Sequence, residues 1–381
     1  RFSAAAQAGS PGGAGGTGPG GDGQTGGNSD YDYGAGGGGG GAHGISITDP
    51  SSVLSNTTVT GGAGGAGGDQ TFGAGYGGAG GGGEGGYGLV FRAENGTLLS
   101  DNTSINGGEG GDGGDSGLSY GGSGGAGGGG AYFAGDGAIL TNRGAITGGT
   151  GGAAGVANFS RSGRSGSGGS GVYGSNLTII NAGSISGGLS GDGATRANAV
   201  TFGAGDNVYE HRAGGSVTGA VVGDGDDLFR LGGDTAGSFN VGQFGTTYQG
   251  FSSFEKTGLS TFTLTGTTTQ VTPWTISAGT LAISSDAALG DTSGVLTLRQ
   301  AGGNQPTLRA DADLTMARDI AVYGNGKLDT NDHTVTFTGS LIGDGVLSHQ
   351  DTSGPLILSG TSSDFTGELQ VRGATLRIEN S

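Results

Sequence analysis

A unit that recurs four times in the first half of the chain constrains the fold more than any other feature. The copies run from Gly44 to Gly62, Gly88 to Gly108, Gly130 to Gly149 and Gly171 to Gly188. Each opens with Gly before a short β-prone run and then carries an aliphatic pair or triplet: Val53-Leu54, Leu98-Leu99, Ala138-Ile139-Leu140 and Ile179-Ile180. An Asn follows five or six positions before a closing Gly-Gly (Asn56, Asn102, Asn142, Asn181), and a β-branched residue sits two positions before that pair (Val59, Ile105, Ile146, Ile185). The pairs are 46, 41 and 39 residues apart, a period that belongs to stacked or radial repeats. One unit is too short to bury its own apolar face, so each copy must lie on the next as one coil of a solenoid. The aliphatics are expected to stack in interior columns. The Asn amides suit tight turns, with or without a ladder of one amide bonded to the next.

Between the units lie glycine-rich excursions at 63–87, 109–129 and 150–170, of 25, 21 and 21 residues. They leave and rejoin the repeat at the same points, so solenoid logic sends them out on one face. Two conformations compete for them. Isolated glycine-rich segments are flexible coils; stacked ones can form extended, threefold, polyproline-II-like strands packed closely because no Cβ intervenes. Ordered excursions would display Phe72, Tyr76, Tyr87, Tyr120 and Phe159, the candidate ligand-binding residues. Tyrosine offers area and a hydrogen bond to a protein or glycan at low entropic cost. In the competing reading these rings pin the loops to one another. The glycine-rich segment 1–43 is expected to be a loop or half of an incomplete first coil.

Composition narrows the rest. Glycine supplies 100 of 381 residues without a Gly-X-Y period and with only 6 Pro, which excludes collagen. The net charge of −17 comes with no dense basic cluster, so no nucleic-acid partner is expected. The absence of cysteine excludes disulfides, thiolate chemistry and Cys-bound zinc. No apolar stretch reaches the roughly 18 residues that a membrane helix needs. No signal peptide opens the sequence, so a mature product or an excised piece is expected. From about residue 199 short alternating strands rich in Val, Thr, Ile, Phe and Leu crowd together, an all-β texture. Three parts follow: 1–43, the coils with inserted loops over 44–198, and tighter coils over 199–381. Segment 311–323 has a helix-compatible composition, but its DIAVY end reads as strand and a coil is preferred.

Within 221–290 the phrases FEKTG, TLTG, W-x-I-x-A-G-T-L and a trailing ALG resemble the passenger-associated strand repeat of bacterial type V autotransporters. PLILSGTSSDFTGELQVRGATLRI at 355–378 is a second copy, and LTNRGAITGG and IINAGSISGG resemble the coils of the same passengers. The resemblance covers about residues 130–381. It implies a right-handed parallel β-helix at or shed from a Gram-negative cell surface, exported through the outer membrane. It further implies a translocator barrel outside this chain and an adhesive or self-associating role, more often than a protease or esterase.

Other motifs are weighed against chance. Asp224, Asp226 and Asp227 resemble one turn of a calcium-binding nonapeptide repeat, but such sites need stacked turns, and no metal or other cofactor is expected. Ser116 in GDSG and Ser123 in GGSGG lack the scaffold that a serine nucleophile requires. His43, His211, His333 and His349 are scattered singly, and Trp274 is expected to fill a coil interior. A carbohydrate-cleaving groove would need clustered carboxylates, whereas the acids are dispersed; an ice-binding face would need regular Thr ranks, and runs such as Thr265 to Thr269 are irregular. The expectation is therefore a non-enzymatic adhesin passenger: a β-helical stalk displaying glycine loops to a host-surface protein or glycan, or to itself. The alternatives are a structural spacer or a passenger with a calcium-stabilised turn.

Overall fold

The computed structural model of the chain describes residues 12–29, 34–71, 77–350, 354–361 and 364–379. Among them there is no α-helix, only two short 3-10 turns at Val241–Gln243 and Asp286–Leu289. No helix is long and apolar enough to cross a membrane. The strands form a parallel β-helix, and the chain divides into two compact units, 1–204 with 216–222 and 205–215 with 223–381.

In the first unit each repeat is one coil. The first holds β1 (Ile45–Ile47), β2 (Ser51–Ser55) and β3 (Thr58–Thr60); the second β4 (Leu89–Phe91) and β5 (Thr97–Asn106); the third β6 (Ala131–Phe133) and β7 (Ile139–Thr147); the fourth β8 (Val172–Gly174), β9 (Thr178–Asn181) and β10 (Ser184–Ser186); β11 (Val200–Phe202) opens the next. All pair in parallel, one coil on another. The opening strands align Ile45, Leu89, Ala131, Val172 and Val200 in one column. Val59, Ile105, Ile146 and Ile185 form a second, with all but Val59 fully buried. A third runs Leu98, Leu140, Ile179. Alternation at period two decides which residue points inward, and it corrects the expectation for coil one. Ser52, not an aliphatic, aligns with Leu98, while Val53 faces out at 64% exposure.

The asparagines form two ladders rather than one. Asn102 Nδ2 donates to Asn56 Oδ1 at 2.7 Å on the surface, and both residues have left-handed backbones, φ 47° and 50°. Asn142 Nδ2 donates to Asn181 Oδ1 at 2.9 Å in the interior. The sets do not join because β5 carries a one-residue bulge between Asp101 and Ser104, so Asn142 stands opposite Ser100. The one-residue bulge adds to the one-residue difference in spacing, five against six before Gly-Gly, and the two together set the ladders two positions apart.

The described residues of the glycine excursions are ordered. Each is an outward and a returning segment: 61–70 and 77–87, 107–116 and 120–130, 148–157 and 161–171. Hydrogen bonds recur at every third residue. Gly64, Gly67 and Gln70 donate N–H to the carbonyls of Glu109, Asp112 and Asp115 in the next outward segment, while Gly80, Gly83 and Gly86 donate across to Gly68, Gly65 and Gly62. A threefold period with bonds only between segments is the polyproline-II arrangement. Outward segments stack on outward ones and returning on returning, giving a two-layer bundle on one flank of the unit. Residues 12–17, 20–29 and 34–43 belong to the same bundle, with Gly13 and Gly16 bonded to Gly37 and Gly40, and Gly23 and Gly26 to Ala63 and Ala66. The expected loop or half coil there is thus replaced by bundle. Glycine is needed inside for lack of a Cβ, not for positive φ. A Cβ on Gly83, Gly111 or Gly166 would stand 1.8–2.0 Å from a carbonyl oxygen of the neighbouring segment in its own layer.

In the second unit coils follow without excursions. Two of its stacks are a seven-stranded one from Gly237–Asn240 to Glu368–Arg372 and a four-stranded one from Leu314–Met316 to Thr375–Ile378. Segment 311–323 contributes strands at Leu314–Met316 and Ile320–Tyr323. The interior begins in rings: Phe229, Phe239, Phe244, Tyr248, Phe254 and Trp274 lie in mutual edge or tilted contact, and Leu281, Leu308 and Leu328 continue the column below Phe262. FEKTG is explained by Lys256, fully buried, whose ammonium donates to the carbonyls of Thr257, Gly258 and Ala278 at 2.6, 3.1 and 3.3 Å. Burial pushes its pKa down to about 8. Arg318, equally buried, pairs with Asp286 at 2.6 Å and donates to the carbonyls of Leu289, Gly290 and Gly294.

Candidate functional site

Where the outward segments turn back, the bundle has a tip. Its register is held by a row of single bridges, Ser29 to Gln70 to Ser116 to Ala157. Ser116 Oγ bonds Gln70 Oε1 at 3.1 Å and accepts the Ser119 N–H at 2.9 Å. Ser116 is therefore a buried turn residue. Two neighbouring turns are tied by Asn158 N–H to Ser116 O and Gly121 N–H to Arg161 O. On these turns, or at the segment ends beside them, stand Leu118 at 48%, Tyr120 at 59%, Val156 at 56% and Phe159 at 80% exposure. Four large apolar side chains are thus exposed on and beside two hydrogen-bonded neighbouring turns, and contiguous apolar surface of that kind marks recognition sites.

The structure thus places Tyr120 and Phe159 on neighbouring turns at the tip, with Tyr87 away from them. Tyr87 lies at the base, where the bundle meets the coils, in a ring column of His43, Tyr87, Tyr132 and Tyr173 with centroids 5.3, 5.4 and 5.5 Å apart. His43 Nδ1 accepts the Tyr87 N–H at 3.2 Å. Partial burial, followed by the neighbouring phenols, raises the Tyr87 pKa. Here the reading of rings that pin segments together describes the geometry. Phe72 and Tyr76 lie outside the described residues. Sequence reasoning missed Leu118 and Val156, whose only signal is their position at the reversals, and Tyr132 and Tyr173, each two residues after the Gly that opens a coil.

The outer row of the outward layer is acidic for a local reason. At several X positions of the Gly-Gly-X triplets a carboxylate or amide of the adjoining segment caps the N–H, as Asn28 Oδ1 does for Asp69 at 2.9 Å. Asp22 Oδ1 accepts from Ala63, Asp69 from Asp115, Asp112 from Ala153 and Asp115 from Val156, at 2.7–2.8 Å. Ser123 Oγ likewise accepts from Arg164 N–H at 3.3 Å, which places it in the returning layer and not in a nucleophile elbow.

In the second unit Asp227 is buried, and its carboxylate is occupied. Oδ1 accepts from Asn207 N–H and Nδ2, both at 3.0 Å, and Oδ2 from Asp224 N–H at 3.1 Å. Burial raises its pKa. Among the described residues no group of three or more His, Asp or Glu could hold a metal ion. His211 is buried against the edges of Phe239 and Phe262, and its Nδ1 has no hydrogen-bond partner among the described residues. Burial pushes its pKa down to about 4. Trp274 is 1% exposed.

No family model matches the chain. It is similar to the Adhesin BmaC autotransporter of Brucella suis biovar 1 (strain 1330), at 31% identity over 160 residues; these are 42% of this chain and 4% of that protein, so the chain spans a small part of that relative's length. Among solved structures it is similar to the nine polyproline type II helical bundle springtail antifreeze protein from Granisotoma rainieri, at 28% identity over 41% of this chain and 90% of that one. The TM-score is 0.20, too low to transfer anything.

Proposed function

We propose that this chain is part of a non-enzymatic adhesin passenger, exported to the surface of a Gram-negative cell, and that it attaches through the tip of its glycine bundle. The observation that carries the reading is the exposed set Leu118, Tyr120, Val156 and Phe159 on and beside turns locked to their neighbours. The similarity to an autotransporter adhesin supports the cellular setting. A rigid display suits recognition, because little conformational entropy remains to be lost when the rings are covered. The β-helix carries the bundle as a stalk, and many copies on one cell would multiply a modest contact by avidity. The fitting partner is a host-surface protein or glycan with a shallow apolar face.

The test is the double variant Tyr120→Ser/Phe159→Ser in the intact chain, displayed on beads and scored for attachment to host cells and matrix proteins. Point changes are preferable to deleting 63–129, which would remove coil two along with two excursions. Attachment is expected to fall about ten-fold or more, as for the loss of central aromatic anchors. Undiminished attachment would leave the tip without this role and the chain as a spacer.

A further inference from the structure

The bundle and the coil stack are out of step at one end. The returning segment 34–43 feeds the first coil, and 77–87 feeds the second. The returning segment 12–17 feeds no coil; Gly18 and Pro19, in a turn closed by Gly21 N–H to Gly18 O, lead straight into the outward segment 20–29. The returning layer therefore has one segment, 12–17, with no coil after it. In that space a cleft of about 710 Å³ opens, lined by Gly18, Pro19, Ile45, Ser46, Thr58 and Val59.

The cleft is bounded by the open edge of coil one. β1, β2 and β3 pair with β4 and β5 on one side and with nothing on the other among the described residues. A strand alternates its peptide bonds between its two sides. Ile45 N–H, Ile47 O, Pro50 O and Thr57 O are taken by the second coil, so Ser46, Val53 and Thr58 turn their peptide groups to the open side. Interior side chains are left uncovered too: Ile45, Leu54 and Val59 are half-buried, whereas their partners Leu89, Ser100 and Ile105 are at 0% exposure.

Open edges are normally guarded by charge, proline or a bulge. The strands Ile45–Ile47, Ser51–Ser55 and Thr58–Thr60 contain no charged residue and no proline. The charge between them, Asp49, is turned onto Ser51 N–H at 2.9 Å. The strands Glu368–Arg372 and Thr375–Ile378 of the second unit, by contrast, carry Glu368, Arg372 and Arg377.

We propose that this edge is a self-association surface, whose occupant is the same edge of a second copy. An extended peptide could satisfy one of the three strands. A second coil one presents three strands already fixed at matching separations, and twofold symmetry makes the contact self-complementary with antiparallel pairing. The net charge of −17 opposes contact elsewhere on the surface, and this neutral end is where two copies can close. The contact is separate from the bundle tip, so it stands or falls independently of attachment.

The experiment is sedimentation velocity on the intact chain from about 1 to 100 µM, with hydrogen exchange at both extremes. Self-association is expected, with amides of residues 45–60 gaining protection at high concentration. Val53→Lys/Thr58→Lys, at exposed positions, is expected to weaken association at least ten-fold while circular dichroism and melting stay unchanged. Tyr120→Ser/Phe159→Ser is expected to associate normally. A monomer throughout the range, association undiminished in the lysine variant, or protection gained elsewhere would overturn the proposal. So would a chain that associates only once residues 1–11 are removed, since its own terminus would then be the occupant.

Discussion

Replacing one inner glycine of the bundle by alanine tests the close-packing argument directly. Gly125 lies in a returning segment; a Cβ there would sit 1.9 Å from Gly83 O and 2.5 Å from its carbonyl carbon. Both are backbone atoms with no rotamer to escape into, so the segments must part by more than 1 Å. Three hydrogen bonds of 2.8 Å converge on the spot: Gly125 N–H to Gly111 O, Gly152 N–H to Gly125 O and Gly111 N–H to Gly83 O. Stretched that far they cease to be hydrogen bonds. At about 1 kcal/mol each the loss is about 3 kcal/mol, offset by roughly 0.4–1 kcal/mol because alanine restricts the unfolded chain. A net cost of about 2–3 kcal/mol would lower the melting temperature of a unit of this size by roughly 5–10 °C. The control is Gly81→Ala in the outer row, where the Cβ would meet Ser123 O at an ordinary 3.4 Å. That variant is expected to be neutral or up to about 0.5 kcal/mol more stable. Thermal melts of both, followed by circular dichroism, decide it; equal melting temperatures would refute the idea that the inner row is glycine for want of space.

Further outcomes follow from the buried polar groups. Asn142→Ala removes an amide that bonds Asn181, Ser184 O and Gly144 N–H in the interior and is expected to cost about 2–4 kcal/mol, against about 1 kcal/mol for Asn102→Ala in the exposed ladder, both measured by urea titration. Lys256→Ala strands three carbonyls in a buried pocket and is expected to cost about 2–4 kcal/mol, read from the melting of the second unit. His211 has a folded pKa of about 4, below the ordinary 6.5, because of burial. Its contribution is thus present above pH 6.5 and lost as the pH falls towards 4, on the order of 3 kcal/mol. His211→Phe should flatten that part of a stability–pH curve, and an unchanged slope would count against the assignment.

The coil stack was legible because it rests on local periodicity. Ile105, Ile146 and Ile185 recur at a constant distance before Gly-Gly and fall in one buried column. The bundle was legible as one of two possibilities. Its decisive signal is the triplet spacing of Glu109, Asp112 and Asp115, since only a threefold segment puts every third residue on one side. The tip was half legible: Tyr120 and Phe159 stand out in glycine, but the reversals that expose Leu118 and Val156 have no residue signature of their own.

Period and composition alone determined that this chain forms stacked parallel coils with glycine segments on one flank. A repeat that cannot bury its own apolar face must cover it with its neighbours. What only the tertiary structure decided is which neighbour stands opposite which. Ser52 rather than Val53 faces inward, the asparagines split at a bulge, Tyr87 joins Tyr132 and Tyr173, and one returning segment lacks a coil. These depend on lateral register between segments some forty residues apart. That register is set by hydrogen bonds across the stack, and the order of residues along the chain does not carry it.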